Sequence, residues 1–435
     1  MKPAFHLKSG VPVFLETSHA LPLVDVDVIV LRGGLLDPKG LGGLSRFTAS
    51  MMRRGPRGTS SEVFDERLDA LGATLSISVG HESMRVQGSV LTRNLGPFLS
   101  ELGRVMVSPA LRRRDFDWVR QASRAQLRAL QDHDGALVGR AFRRALFRGH
   151  GYARPLSGTE ESLERLTLAE VKAHHKRLIR APHLLIGLAG DVRAEEAERL
   201  LGAAFSRVLD GATRRPPRRA AKMRQGIHAV LVDKPQRTQA QVQIGTLGLA
   251  VGHKDHPAML VGNTAFGGTF TSRLMKEVRG ERGWSYGAYS KLSTDRQREA
   301  WQMWTQPAAE QLLDCVALQL ELYQDWLERG LSRAEVQGAK RYLIKSQPFD
   351  LETAGKRLEP KLQTAANNLP EDWFATYPKR LRAVNRARVN TAVREHLSAT
   401  DLTVAVLATA TPAMERSLRS LPGVRSLTVL PFDMV

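Results

Sequence analysis

An α+β fold, built twice along the chain, is what this sequence predicts. Three observations carry that prediction. Strand-like and helix-like stretches follow one another in the same order in both halves. Corresponding stretches lie about 218 residues apart, half of a 435-residue chain. A basic, proline-bearing segment without apolar periodicity, GATRRPPRRAAKMRQG at 211–226, sits at the midpoint and reads as a linker. The expected domains are therefore 1–210 and 227–435.

The first half opens with strands over 11–17 and 23–31; in the second, Asp25 and Asp27 alternate with valines, so one face is expected in the core. Leu44, Phe47 and Met51 stand at helical spacing within 41–54. Ser60 and Ser61 cap a helix that stops at Gly72, and strands 74–79 and 83–90 form a hairpin around Gly80. Helices are expected over 95–107, 114–130 and 136–146, then a loop over 149–158. Thr159 and Thr167 open two more helices, Pro182 breaks the second, 183–188 returns as a strand, and a helix over 195–205 closes the half. After the linker the plan recurs. A strand over 239–248 matches 23–31, helices over 257–266 and 272–280 follow, and 402–408 matches 184–190.

The stretch SRLMKEVRGERGWSY carries the most chemistry. Ser272 is placed to cap a short helix, Gly280 to stop it, and 285–293 to continue as a strand. Arg279 then lies on the last helical turn and Tyr286 at the start of the strand. Two readings are open. Arg279 offsets the helix dipole while Tyr286 packs on the core edge; or both donate to an oxygen that gains negative charge during a reaction.

Composition excludes several classes. The single cysteine, Cys315, lies in an apolar helical run, which rules out a disulfide framework and thiolate-rich metal sites. No apolar run is long enough for a membrane span, and the N-terminus has no apolar leader region, so a cytoplasmic location is expected. The net charge is +20, with +14 of it before residue 226, and the arginine-rich excess is spread over helices. There are no interleaved aromatics and no nucleic-acid module, and an arginine-rich proteome, or an acidic partner or substrate, fits at least as well as DNA or RNA.

Three stretches together resemble one family: GLGGLSRFTASMMRRG with LDALGATLSISVGHES; HGYARPLSGTEESLERLTLAEVKAHHKRLIRAPHLLIGLAGDV; and HPAMLVGNTAFGGTFTSRLMKEVRGERGWSYGAYS. They look like the pitrilysin/insulinase-type metallopeptidases, in particular the short bacterial members with two homologous domains that act in pairs. The resemblance implies two mainly antiparallel sheets packed with helices, enclosing half of a peptide chamber. In the family, a helix in the first domain carries H-x-x-E-H, with a further glutamate ligand downstream. Here the motif positions are Arg46, Phe47, Thr48, Ala49 and Ser50, and the downstream position falls near Ala125 and Gln126. Both histidine positions (Arg46, Ser50), the base (Ala49) and the distal ligand (Gln126) have lost their chemistry. An arginine at a ligand position also repels a dication. His174 and His175 are adjacent on a helix and point about 100° apart, and His133 is expected in a solvated loop, so none of them rebuilds the centre.

The second domain's arginine and tyrosine, which in the family stand near the substrate carbonyl, match Arg279 and Tyr286. The turn Phe266-Gly267-Gly268-Thr269-Phe270 matches a substrate-approaching loop of the non-metal subunit of mitochondrial processing peptidase. The resemblance therefore implies a zinc-less subunit with no cofactor of its own. Its partner would be a homologous subunit with an intact His-x-x-Glu-His and bound zinc, and Arg279 and Tyr286 would act in trans on peptide. The alternative is a catalytically inactive structural or interaction subunit of the same fold.

Overall fold

The computed structural model describes residues 2–211 and 220–435; of the expected linker, residues 212–219 lie outside the described residues. The fold is α+β, as the sequence predicts. It contains two six-stranded mixed sheets, each packed with helices.

The first sheet holds β1 (Phe5–His6), β2 (Pro12–Thr17), β3 (Leu23–Val30), β4 (Thr74–Val79), β5 (Met84–Leu91) and β6 (Leu184–Gly190), in the order β1-β2-β6-β3-β5-β4. The second holds β7 (Ile227–Asp233), β8 (Gln241–Leu247), β9 (Ala288–Leu292), β10 (Ala300–Thr305), β11 (Thr403–Ala408) and β12 (Val424–Pro431), in the order β12-β7-β11-β8-β10-β9. Apart from the outermost strand at one edge, the orders coincide. In each, one internal parallel pair (β2 with β6, β7 with β11) is followed by antiparallel pairs. Shared strand order is the structural form of the repeat.

Local chemistry sets several helix starts. The Ser60 hydroxyl accepts from the Val63 N–H, and Thr159 and Thr167 form capping boxes with Ser162 and Glu170. Helix Leu44–Arg53 begins at Gly43, which has no side chain to cap with. Asp37 substitutes from six residues upstream, accepting the Gly43 and Ser45 N–H groups at 2.8 and 2.9 Å.

The two compact units are not the two contiguous halves. The first adds Pro348–Phe374 to N-terminal chain, and the second adds Ala129–Ala153 to C-terminal chain. Division at a linker over 211–226 does not anticipate this exchange. Alternation along the strands shows why it occurs. Val24, Val26, Val28 and Val30 of β3 face the main core of the first unit with Ile186 and Leu188 of β6. Phe14, Ile29 and Leu185 face the other way, where helix Ala354–Asn367 covers them with Leu358 and Leu362. The face of β3 that carries Asp25 and Asp27 is thus covered in part. Asp27 is buried against Arg85 of β5, which also pairs with Glu359 of the crossing helix. Glu16 of β2 receives Arg357 and Lys361 from the same helix, each at 2.7 Å.

The second unit repeats the device with helix Asp134–Leu146. Asp134 pairs with Lys234 at 2.6 Å, and Arg143 pairs with Glu299. A glycine lies under each crossing. A Cβ at Gly187 would come within 2.9 Å of Leu358 and Leu362, and one at Gly245 within 2.9 Å of Phe142.

Each half therefore lacks one helix that its own sheet needs. Residues 1–210 expressed alone leave Phe14, Ile29 and Leu185 uncovered, and the expected outcome is aggregation, relieved by co-expression with residues 227–435. Soluble yield and size-exclusion behaviour measure this; a monomeric, cooperatively unfolding 1–210 fragment would contradict it.

Candidate functional site

Arg46, Ala49 and Ser50 lie on helix Leu44–Arg53, and Gln126 lies on helix Arg113–Leu130. The structure brings the first and last together: Arg46 Nη2 donates to Gln126 Oε1 at 3.4 Å. The alanine is buried in the core. A dication has nothing to hold it here. Arg46 offers a cation, Ala49 a methyl group and Gln126 a neutral amide, a set that does not suit a zinc ion. Edge strand β4 beside this helix is also closed at one point, because the Leu75 carbonyl accepts Arg53 Nε at 3.0 Å while Arg53 pairs with Asp65.

The base of the same helix is a buried polar network that the sequence did not reveal. Asp37 Oδ1 accepts from the Ser45 hydroxyl at 2.6 Å, and Ser45 Oγ meets His174 Nε2 at 2.9 Å. His175 turns elsewhere, with Nε2 at 2.8 Å from the Met106 carbonyl, so the two histidines diverge as adjacent helical positions must. Burial pushes the Asp37 carboxyl up and the His174 imidazole down to about 4, the latter helped by the nearby Arg177. His133 is solvent-exposed at the start of helix Asp134–Leu146.

The second unit carries the other candidate residues. Helix His256–Phe266 ends with Phe266 stacked on Trp326, ring centroids 4.3 Å apart and planes within 10°. Immediately beyond, Gly267 lies against β9. Its carbonyl accepts the Ser290 N–H at 2.8 Å, and a Cβ at Gly267 would fall 2.5 Å from Ser290 Oγ. At Gly268 a Cβ would fall 2.7 Å from the Thr264 Cα. Two glycines let the chain leave the helix in close contact with the strand and rise to Thr269 and Phe270, whose ring is 63% exposed.

The next segment departs from the sequence expectation in four ways. Ser272 precedes the helix but does not cap it; its hydroxyl donates to the Thr269 carbonyl at 2.6 Å. Gly280 does not stop the helix. Arg273–Met275 passes into a π-helical turn over Lys276–Glu281, and the left-handed residue that ends it is Gly283, at φ +65°. The strand starts at Ala288 rather than 285. Tyr286 is not on the core edge; it is 85% exposed.

The wide turn and the glycine loop bring three side chains together. The Arg279 guanidinium carbon lies 4.6 Å from the Phe270 ring centroid and 4.7 Å from that of Tyr286. The cation is thus held by cation–π contact with both rings, worth about 0.5–1 kcal/mol each at exposed sites. No carboxylate pairs with it among the described residues. Its N–H groups remain free to donate to a carbonyl, an oxyanion or a carboxylate. Sequence reasoning placed Phe270 in the loop but missed its contact with Arg279, since that contact depends on the π turn.

Two sequence profiles match the chain: "Insulinase (Peptidase family M16)" over residues 13–160 and "Peptidase M16 inactive domain" over residues 165–343. The chain is 22% identical over 401 residues to the "Non-peptidase homolog YmxG" of Helicobacter pylori, covering 92% of each protein. It is 24% identical to an "Uncharacterized zinc protease" of Streptomyces coelicolor, covering 80% of this chain and 77% of that one. The solved structure of a peptidase M16 inactive domain from Pseudomonas fluorescens superposes with a TM-score of 0.88 at 21% identity, over 94% of this chain and 97% of that one. Fold and site together define a duplicated α+β protein of the zinc-peptidase type without a zinc-ligand set at the family position. The chain belongs to the insulinase family, peptidase family M16.

Two outcomes follow. His174 is neutral in the folded protein down to about pH 4 but takes a proton near pH 6.5 when unfolded, so stability falls as pH drops through that window. Urea unfolding at pH 7 and pH 4 should show the parent chain losing about 3 kcal/mol more than His174→Gln loses over the same interval. Gly267→Ala should destabilise the second unit by about 1–3 kcal/mol in thermal or chemical unfolding, because the added methyl meets strand backbone as well as the Ser290 hydroxyl.

Proposed function

We propose that this chain is the non-zinc-binding subunit of a heterodimeric metalloendopeptidase, acting with a homologous subunit that carries an intact His-x-x-Glu-His. The observation that carries this reading is the exposed Phe270–Arg279–Tyr286 cluster with its unpaired guanidinium, in a chain whose Arg46, Ala49 and Gln126 offer no zinc ligands.

The partner's zinc and glutamate supply the activated water. This chain's contribution is to hold the reacting carbonyl. Arg279 donates N–H groups and Tyr286 a phenolic O–H to the oxygen that becomes negative as water adds, and both are stabilising in proportion to the charge that develops. The two rings flanking Arg279 restrict the guanidinium before substrate arrives, which lowers the entropy lost on binding. Gly267, Gly268, Thr269 and Phe270 form a wall along the peptide, and the exposed ring of Phe270 offers it apolar contact.

A second reading, a catalytically inactive structural or interaction subunit, draws on the printed name of the Helicobacter pylori relative. Reconstitution separates the two. The chain alone should cleave no peptide, and mixing with the zinc-bearing homologue should produce activity. In that complex Tyr286→Phe, which keeps the ring over Arg279, should lower kcat at least tenfold with an unchanged Tm. Full turnover by the variant would leave only the structural reading.

A further inference from the structure

His253, Asp255 and His396 meet at one point of the second unit, away from the Arg279 cluster in sequence and on different elements. His253 and Asp255 lie just before helix His256–Phe266, and His396 is the last residue of helix Arg386–His396. His396 Nε2 is 2.9 Å from Asp255 Oδ2, and His253 Nδ1 is 3.8 Å from the same oxygen. The rings of the two histidines stand edge to face with centroids 4.7 Å apart. One potential ligand atom from each residue lies within 4.8 Å of the other two.

Asp255 stands at the N-cap position of its helix, yet its side chain caps no backbone N–H. It is 2% exposed, and its carboxylate faces the histidines with one oxygen and Arg388 with the other. An aspartate that leaves the capping role to sit buried between two imidazoles and a guanidinium calls for a second explanation.

We propose that His253, Asp255 and His396 form a binding site for a divalent transition-metal ion, zinc by preference, which ties the start of helix His256–Phe266 to the end of helix Arg386–His396. Two imidazoles and one carboxylate are a donor set suited to zinc, with a fourth position for water. Two ligand atoms on a tetrahedral zinc, each at about 2.1 Å, stand about 3.4 Å apart. The 2.9 and 3.8 Å separations from Asp255 bracket that value, and all three ligand atoms lie within 4.8 Å of one another, so rotation of the His253 side chain toward Asp255 and His396 completes the geometry. Arg388 holds the second carboxylate oxygen, leaving the first to bind the metal alone, as an outer-shell partner does. Nδ1 of His253 carries a lone pair, since it accepts the Asp255 N–H at 3.1 Å; metal binding exchanges that hydrogen bond for a coordinate bond. The His253 side chain is 37% exposed, which gives an ion a way in.

This centre is separate from the family's zinc position on helix Leu44–Arg53, and the proposal does not depend on the reading of Arg279. The test uses the full-length chain stripped with a chelator and titrated with cobalt(II), then zinc. One equivalent of cobalt should produce the visible d–d bands of a low-coordinate N/O site, and zinc should abolish them and raise Tm. His253→Ala, at a half-buried position, and His396→Ala should each weaken binding at least tenfold, with Tm of the metal-free variants measured alongside. Arg46→Ala should leave it unchanged. Absence of a stoichiometric site in the parent chain, or equal affinity in both histidine variants, would overturn the proposal; cobalt binding without it would then be adventitious.

Discussion

A six-stranded sheet whose strands are apolar on both faces needs a cover on both, and in this chain neither half supplies both covers for its own sheet. That constraint shapes the rest of the molecule. Phe14, Ile29 and Leu185 are covered by a helix from the C-terminal half, and the second sheet takes its cover from helix Asp134–Leu146. The covers are fastened by the same means. A glycine under the crossing lets the helix approach, and buried or half-buried ion pairs at Asp27, Glu16, Asp134 and Glu299 fix its register. Removing one partner of such a pair leaves a charge stranded in low dielectric, so each pair penalises a displaced helix more than it rewards the correct one. The exchange makes the repeat a single folding problem rather than two.

The frame is symmetric, and the chemistry on it is not. In the first unit, a buried network that seats helix Leu44–Arg53 runs from Asp37 through Ser45 to His174, whose Nδ1 has no hydrogen-bond partner among the described residues. On that helix Arg46 presents a guanidinium and Ser50 a hydroxyl, while Ala49, Met51 and Met52 are buried in the core. In the second unit, helix His256–Phe266 occupies the place after the corresponding strand. It ends in a glycine loop that projects an exposed phenylalanine, where no folding requirement calls for one.

Much of this was legible in the sequence, for physical reasons. Strand β3 showed itself by alternation of valine with aspartate, and the helix starts at Ser60, Thr159 and Thr167 by caps whose donors lie three residues away. The repeat appeared as matching order at a fixed offset. Contacts between distant segments were not legible. Nothing near Leu358 and Leu362 names the sheet they cover, and nothing near His253 points to His396. Strands β7, β10 and β12 also went unplaced, and Trp301 of β10 belongs to an aromatic cluster with Tyr323 and Trp326 that only the folded unit assembles. Gly280 misled because two glycines three residues apart both offer a stop. Only Gly283 takes the left-handed conformation; Gly280 lies inside the π turn Lys276–Glu281, within which Val278 is buried in the core.

That turn matters for the candidate site more than any single residue type. An α-helix stopping at Gly280 would leave Arg279 as an ordinary cation at a helix end, its charge spent on the terminal carbonyls. The wider turn carries the guanidinium instead into the space between two exposed rings. Aromatic faces hold a cation without consuming its N–H groups, whereas a carboxylate partner would occupy them and cancel the charge. The arrangement is therefore costly for stability alone: two large rings stay in water, a π turn replaces better-aligned hydrogen bonds, and the arginine forgoes an ion pair. What it gains is an unneutralised donor at the surface, its N–H groups open to an acceptor from outside the chain.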